Sequence, residues 1–353
     1  MDLEIKKFSE LDLSDHFFDS LKANYTDFEK WFVKKSAEGA EAYVFFNEKG
    51  KITDFLYLKI ETEELKDIEP ILPSKRRLKV GTFKLLSRGT RRGERFMKKI
   101  MDKAIAESVD EIYVTMFPIE DLKSLIRLFT RFGFEHKADK PHKNGESEIV
   151  LLRDMHHFVG DIEKDYPFVK KSNTRKYLLS IYPSYRTKLF PDSILNNESY
   201  DLIQDIKPTN SIYKIYICRM KDVNMLRRGD NVVVYRTTDN QGPAYYRSVA
   251  TSICTVIGIK QYFDFENIDD FLKYTQYSVF EENELRNWYD EWRNLIVIKM
   301  LYNVAFTKRV IRKDLIEKAG IPEEAYWGFC ELNDEQYMRI INLGGADERY
   351  FVN

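Results

Sequence analysis

The sequence is poor in cysteine and histidine and has no long apolar run. Three cysteines stand in 353 residues, Cys218, Cys254 and Cys330. They are odd in number, far apart, and show no C-x-x-C spacing. That excludes a disulfide framework and a zinc knuckle, and it fits a reducing cytoplasm. The five histidines offer little for metal chemistry. His156 and His157 are adjacent, so they point to different faces of any regular element. His16, His136 and His142 stand alone. No catalytic metal and no nucleophilic triad is expected. No apolar run approaches the roughly 18–20 residues of a spanning helix, and MDLEIKKFSELDLSDHFF has no apolar signal region. The expectation is a soluble cytoplasmic protein with no membrane partner. Neither charge sign dominates: 56 Lys and Arg meet 57 Asp and Glu, a formal net charge of −1. A uniformly basic nucleic-acid coat is thereby excluded, though local basic patches remain. There is no internal repeat and no low-complexity tract.

What is present suits two globular domains. Apolar residues make up 43%, enough for packed cores. Composition breaks at residues 136–176. His136–Ser147 is polar with Pro141 and Gly145 and reads as a loop or hairpin. Asp154–Lys176 is mixed and basic. The expected domains are 1–153 and 174–353, joined by a linker at 154–173.

In the first part, Phe17–Asn24 and Asp27–Ser36 read as amphipathic helices. Ala42–Phe46 and Thr53–Ile60 read as strands around an Asn47–Gly50 turn. Leu78–Leu86 is a third strand. Arg92–Glu107 is a helix with Phe96, Met97, Ile100, Met101, Ala104 and Ile105 on one face. Glu111–Phe117 is a strand, and Ile119–Arg131 a helix closed by Gly133. Alternating strands and helices imply an α/β (α+β) class. In the second part, Tyr177–Tyr182, Tyr213–Met220, Asn231–Arg236, Ala244–Gly258 and Asn294–Asn303 are strand-like. Helices there are fewer, and a small β-barrel with peripheral helices is expected.

The segment from Leu78 to Met101 runs from strand through a turn into a helix. The turn reads Arg88-Gly-Thr-Arg-Arg-Gly93. A helix start presents backbone N–H groups and the positive end of the helix dipole. Glycine lets the backbone approach a diphosphate closely, and Arg88, Arg91, Arg92 and Arg95 add positive charge. The reading is an anion cradle; a solvated basic turn is the plain alternative. This segment resembles the cofactor motif of the GNAT superfamily of acyl-CoA N-acyltransferases. Arg88 falls on that motif's Arg/Gln position and Gly93 on its last Gly/Ala, while Arg91 stands where a glycine is usual. Gly89 offers a competing register. A second segment, Glu111-Ile-Tyr-Val-Thr-Met-Phe117, a helix, then Leu128-Phe-Thr-Arg-Phe-Gly-Phe134, resembles the closing motif of the superfamily.

The resemblance implies a mixed central sheet with flanking helices, and acyl transfer from acetyl-CoA to a primary amine. It implies a cofactor site at Leu85, Leu86, Arg88, Gly89, Arg91, Arg92, Gly93 and Glu94. It also implies that the strands Leu78–Leu86 and Glu111–Phe117 part to admit a pantetheine arm. Phe129 occupies the position of the usual acid Tyr and has no proton to give. Tyr113 or water is then left as proton source, and Glu61, Glu63 and Glu94 are candidate bases by nearness in sequence.

In the second part, Met225-Leu-Arg-Arg-Gly-Asp-Asn-Val-Val-Val-Tyr-Arg236 places a Gly-Asp turn before an apolar strand. With Tyr326-Trp-Gly-Phe-Cys-Glu-Leu332, this resembles the PUA-like superfamily, in its ASCH and EVE branches. The resemblance implies binding of RNA or a modified nucleotide. Phosphate contacts and stacking faces are sought at Lys171, Arg175, Lys176, Arg186 and Trp327. Two functions follow: an N-acyltransferase with a PUA-like module, or an RNA-binding protein whose acyltransferase-like domain binds CoA with little or no catalysis.

Overall fold

A computed structural model describes residues 3–86, 91–143, 145–183, 189–190, 212–220 and 222–353. The described residues group into two compact units, one up to Lys164 and one from Asp165 onward. Both mix strands and helices, and the chain is of the α+β class. No described helix is long and apolar enough to cross a membrane.

The first unit is built on seven strands, β1 (Leu3–Lys7), β2 (Glu41–Phe46), β3 (Ile52–Glu61), β4 (Arg77–Leu85), β5 (Glu111–Met116), β6 (Glu135–Pro141) and β7 (Ser147–Asp154). Their order across the sheet is β1-β2-β3-β4-β5-β7-β6. All neighbours are antiparallel except β4 and β5, which run parallel. The β2–β3 turn forms as its residues dictate: the Asn47 side-chain oxygen accepts from the N–H groups of Lys49 and Lys51, and Gly50 takes a positive φ.

Four helices cover the two faces of this sheet. Helices α1 (Asp19–Asn24) and α2 (Phe28–Ala37) share a cluster in which Phe17, Phe18, Phe28 and Phe32 meet Phe55 and Tyr57. Helices α3 (Arg92–Ala106) and α4 (Lys123–Arg131) lie on the other face, where Phe83 of β4 meets Phe96 and Phe129 edge-on. The apolar positions expected of α3 are all buried. Helix α4 ends at Gly133, at φ +82°, where a Cβ would lie 2.5 Å from the Lys164 carbonyl oxygen.

The second unit carries β8 (Val169–Lys170), β9 (Lys176–Ile181), β10 (Tyr213–Cys218), β11 (Asn231–Arg236), β12 (Val249–Gln261), β13 (Ile296–Ile311), β14 (Phe329–Leu332) and β15 (Phe351–Val352). Six of them form one sheet in the order β10-β13-β12-β11-β9-β14. The expected barrel is corrected to an open sheet. Closure needs its two edge strands to pair, and β14, four residues long, pairs with β9 alone, while β10 pairs with β13 alone, among the described residues. The stretch Ala244–Gly258, read as one strand, divides into a short helix, Ala244–Arg247, and β12. The expected linker, 154–173, is packed in part: Tyr166 is fully buried and its hydroxyl donates to the Tyr302 carbonyl at 3.1 Å, and β8 pairs with β15.

Candidate active site

Strand β4 carries one residue too many for its partner. Tyr57 of β3 stands opposite Thr82, and Leu58 stands opposite Val80, so Gly81 is a bulge. Glycine is required by space: a Cβ there would lie 2.7 Å from Tyr57 Cδ1. A bulge bends its strand and sharpens the local twist. The parallel pairing of β4 with β5 stops at Val80 and Val114, immediately before it. Both strands continue, β4 to Leu85 and β5 to Met116. Their outer edges stay paired, β4 with β3 through Leu85 and β5 with β7 through Met116. The two strands therefore stop pairing with each other inside a continuous sheet, and this break, called the slot below, leaves Gly81–Leu85 and Thr115–Met116 without ladder pairing between them.

Helix α3 begins where this slot ends. Its N-cap, Arg91, supplies no side-chain cap, and the helix runs fifteen residues, so its start carries the positive end of a substantial dipole. Gly93 lets that start sit close: a Cβ there would be 3.0 Å from Leu128 and 3.2 Å from Leu85. Leu86 stands at the mouth, 54% exposed. Arg88 and Gly89 lie outside the described residues.

The arginines divide their work. Arg92 is buried, and its Nη1 lies 2.5 Å from Asp54 Oδ2 and 3.1 Å from Thr53 Oγ1. Its guanidinium and that of Arg95 lie 5.1 and 5.0 Å from the Phe45 ring centre. Arg92 thus serves the fold, because a fully buried carboxylate needs a cation beside it. Arg91 and Arg131 both pair with the buried Glu94, at 3.4 and 3.3 Å. Glu94 is thus held by two cations.

The other candidates sit at the closed end. Glu61 ends β3 opposite Arg77, and Tyr113 stands opposite Lys79, within the paired part of β4 and β5. The Tyr113 hydroxyl donates to Glu61. Burial, and then this bond, push the Tyr113 hydroxyl well up. For Glu61, burial acts upward, but the Tyr113 hydroxyl and the Lys79 and Lys59 ammonium groups outweigh it and hold the carboxyl below its ordinary value. Phe129 is fully buried, 5.5 Å from Phe83 and 4.8 Å from Phe134 between ring centres. It is a core residue.

A different cluster marks the open end. Phe117 directly follows β5, Tyr25 follows α1, and His142 and Glu148 belong to the β6–β7 hairpin. Glu148 is 4% exposed. One of its oxygens accepts from the Tyr25 hydroxyl at 3.3 Å, and the other lies 3.1 Å from His142 Nε2. The Phe117 ring lies between the outer two, 6.0 Å from Tyr25 and 5.3 Å from His142. Burial, and then Glu148, raise the Tyr25 hydroxyl. Alternation along β7 puts Glu148 on the face of Val150 and Leu152, which pack with Tyr113. Sequence reading left His142 isolated, since Tyr25 and Glu148 lie 123 residues apart and no local motif joins them.

In the second unit, Arg175 is engaged by Asp230 at 2.6 Å and by the Met225 carbonyl at 3.0 Å. Lys176 is buried against Asp334 at 2.5 Å. Trp327 donates to the Glu323 carbonyl and lies under the Arg312 guanidinium at 4.4 Å. The Lys171 backbone N–H donates to the Val352 carbonyl. Arg186 lies outside the described residues. Arg175 and Lys176 line one surface pocket with Glu331, Asn333 and Asp334, and Lys176 and Asp334 also line a second with Lys171 and Ser172.

No protein-family model matches the chain, and no curated protein matches it. Solved structures resemble it in part. A mutant of the ASCH protein of Zymomonas mobilis is 9% identical, with a TM-score of 0.33, over 49% of this chain and 99% of that one. The NatC complex bound to Gag peptide and CoA is 16% identical, with a TM-score of 0.30, over 44% of this chain and 99% of that one. Nourseothricin acetyltransferase is 14% identical, with a TM-score of 0.26, over 33% of this chain and 65% of that one.

Proposed function

We propose that the first unit is an N-acyltransferase of the GNAT type that moves an acyl group, acetyl in the simplest case, from acyl-CoA to a primary amine. The observation that supports this reading best is the slot between β4 and β5, which opens at the Gly81 bulge and ends at the start of α3. Pantetheine is an extended chain with two amide groups. The unpaired edges of Gly81–Leu85 and Thr115–Met116 offer N–H and C=O groups to such a chain. The diphosphate would meet the start of α3. Strand N–H groups fixed beside a thioester carbonyl favour the oxyanion that forms when an amine attacks it.

A second reading keeps CoA binding without turnover. The buried Phe129 favours it, since the position expected to hold an acid holds a core ring. Two measurements on the full chain separate these readings. Calorimetry with acetyl-CoA tests the slot, and CoA release with amine acceptors tests turnover. Leu86→Glu, an exposed change at the mouth, is expected to weaken acetyl-CoA about tenfold, or about 1.4 kcal/mol, by repelling the phosphates. Unchanged affinity would remove the slot from the cofactor site.

A further inference from the structure

The acyl-transfer reading needs a group that takes a proton from the amine. Glu61 and Tyr113 are tied to each other at the closed end, Glu94 is tied to two arginines, and Phe129 has no proton to move. At the open end, beside the slot, stand His142 and Glu148. Resting on that reading, we propose that His142 is the catalytic base that deprotonates the incoming amine, and that Glu148 is the residue that positions it.

The geometry fixes the roles. A neutral imidazole has one N–H and one lone pair. The 3.1 Å contact of Nε2 with Glu148 Oε2 puts the proton on Nε2 and leaves the lone pair on Nδ1. Glu148 cannot swing away, because Tyr25 holds its other oxygen. Phe117, 5.3 Å from the imidazole, fixes the plane of the ring. Glu148 is nearly fully buried, whereas the His142 side chain is 33% exposed. The imidazole is therefore the member of the pair that a substrate can reach. Phe117 would follow Met116 opposite Glu148 in the β5–β7 register, so the group borders the wall of the slot from which an acyl carbonyl would be approached. The aromatic faces of Phe117 and Tyr25 favour a cationic head. The acceptor class is thus an aliphatic primary amine that arrives as its ammonium ion.

The step balances. His142 Nδ1 takes one proton from R–NH3+, forming an imidazolium paired with Glu148. The freed lone pair forms a C–N bond to the thioester carbonyl carbon. The C–S bond breaks and CoA leaves as thiolate with the bonding electrons. The surplus proton on the new C–N nitrogen passes to the thiolate, leaving an amide and CoA–SH. The imidazolium then returns its proton to water.

The test uses the full chain with acetyl-CoA and two probe amines, ethylamine and spermidine, and reads released thiol. General base catalysis is worth about 100-fold to 10,000-fold, so His142→Ala is expected to lower kcat by about 100-fold or more. Acetyl-CoA affinity by calorimetry should not change, and added imidazole should restore part of the rate. Glu148→Gln should lower kcat by a smaller factor, with no change in acetyl-CoA affinity. A His142→Ala protein that keeps kcat within about threefold, or is not helped by imidazole, overturns the assignment. So does a wild-type protein that binds acetyl-CoA yet releases no thiol with either amine, an outcome that leaves the CoA site standing. Failure to bind acetyl-CoA overturns the acyl-transfer reading itself, and the base assignment with it.

Discussion

Replacing Asp54 by Asn should unlock the start of α3. Asp54 is fully buried and Arg92 is 5% exposed, with 2.5 Å between Oδ2 and Nη1. Thr53 Oγ1 donates to the same carboxylate oxygen at 3.1 Å. Asn keeps the shape and one acceptor but removes the negative charge that faces the buried Arg92 cation. Breaking one side of a buried pair costs about 3–5 kcal/mol. Because Asn still accepts a bond, the lower end applies, about 3 kcal/mol, or a rise of about 150-fold in the opening equilibrium. Hydrogen exchange read on α3 peptides measures this directly, and those amides should exchange about 100-fold faster or more. Arg92 anchors the first turn of α3 to β3, so acetyl-CoA binding should weaken in the same variant. The double replacement Asp54→Leu with Arg92→Met removes both charges and should recover much of the protection. Exchange that changes by less than about fivefold in Asp54→Asn would refute the claim that this pair holds the helix start.

Three further outcomes are expected. Gly81→Ala forces a Cβ to within 2.7 Å of the Tyr57 ring; it should cost about 1–3 kcal/mol in thermal unfolding and weaken acetyl-CoA, and a variant as stable as wild type would mean that the bulge tolerates a side chain. Glu61 has its carboxyl held below the ordinary value, so it contributes stability above its unfolded-state value that is lost as pH falls through the folded one; Tyr113→Phe removes the largest lowering partner, and urea midpoints between about pH 5 and pH 3 should then fall less steeply with acid than in wild type. Burial pushes the Cys330 thiol up to about 11 and the Cys218 thiol up to about 12, which leaves a thiolate fraction near 0.001 for Cys330 at about pH 8; the native protein should react slowly with a thiol reagent and release all three equivalents only when unfolded, whereas a fast burst from native protein would contradict the burial.

Much of the first unit was legible in the sequence because its signals are local. The Asn47 turn, the broad apolar face of α3 and the Gly133 stop need only neighbours in the chain. Strand β6 was read as part of a polar loop or hairpin: only Ala138 of Glu135–Pro141 is buried, so an edge strand looks like a loop. Strand β13 was cut short at Asn303 because Thr307, Lys308 and Arg309 are exposed and polar, although the strand runs on to Ile311. The site divides along the same line. The strand and the start of α3 were legible, but the fate of Arg92 depended on partners such as Asp54, which no spacing reveals. The pairing of His142 with Glu148 and Tyr25 depends on the fold bringing a hairpin to the end of α1.

The buried Tyr166 bears on how the two halves are to be prepared separately. A cut at the composition break, after Arg153, takes from the first half the backbone of Lys164 that lies against Gly133. A cut after Asn173 takes from the second half both Tyr166 and β8, and with them the hydroxyl that reaches Tyr302 and the strand that β15 leans on. Division between Lys164 and Asp165 spares all of these contacts, so fragments ending and starting there keep what either of the other cuts removes.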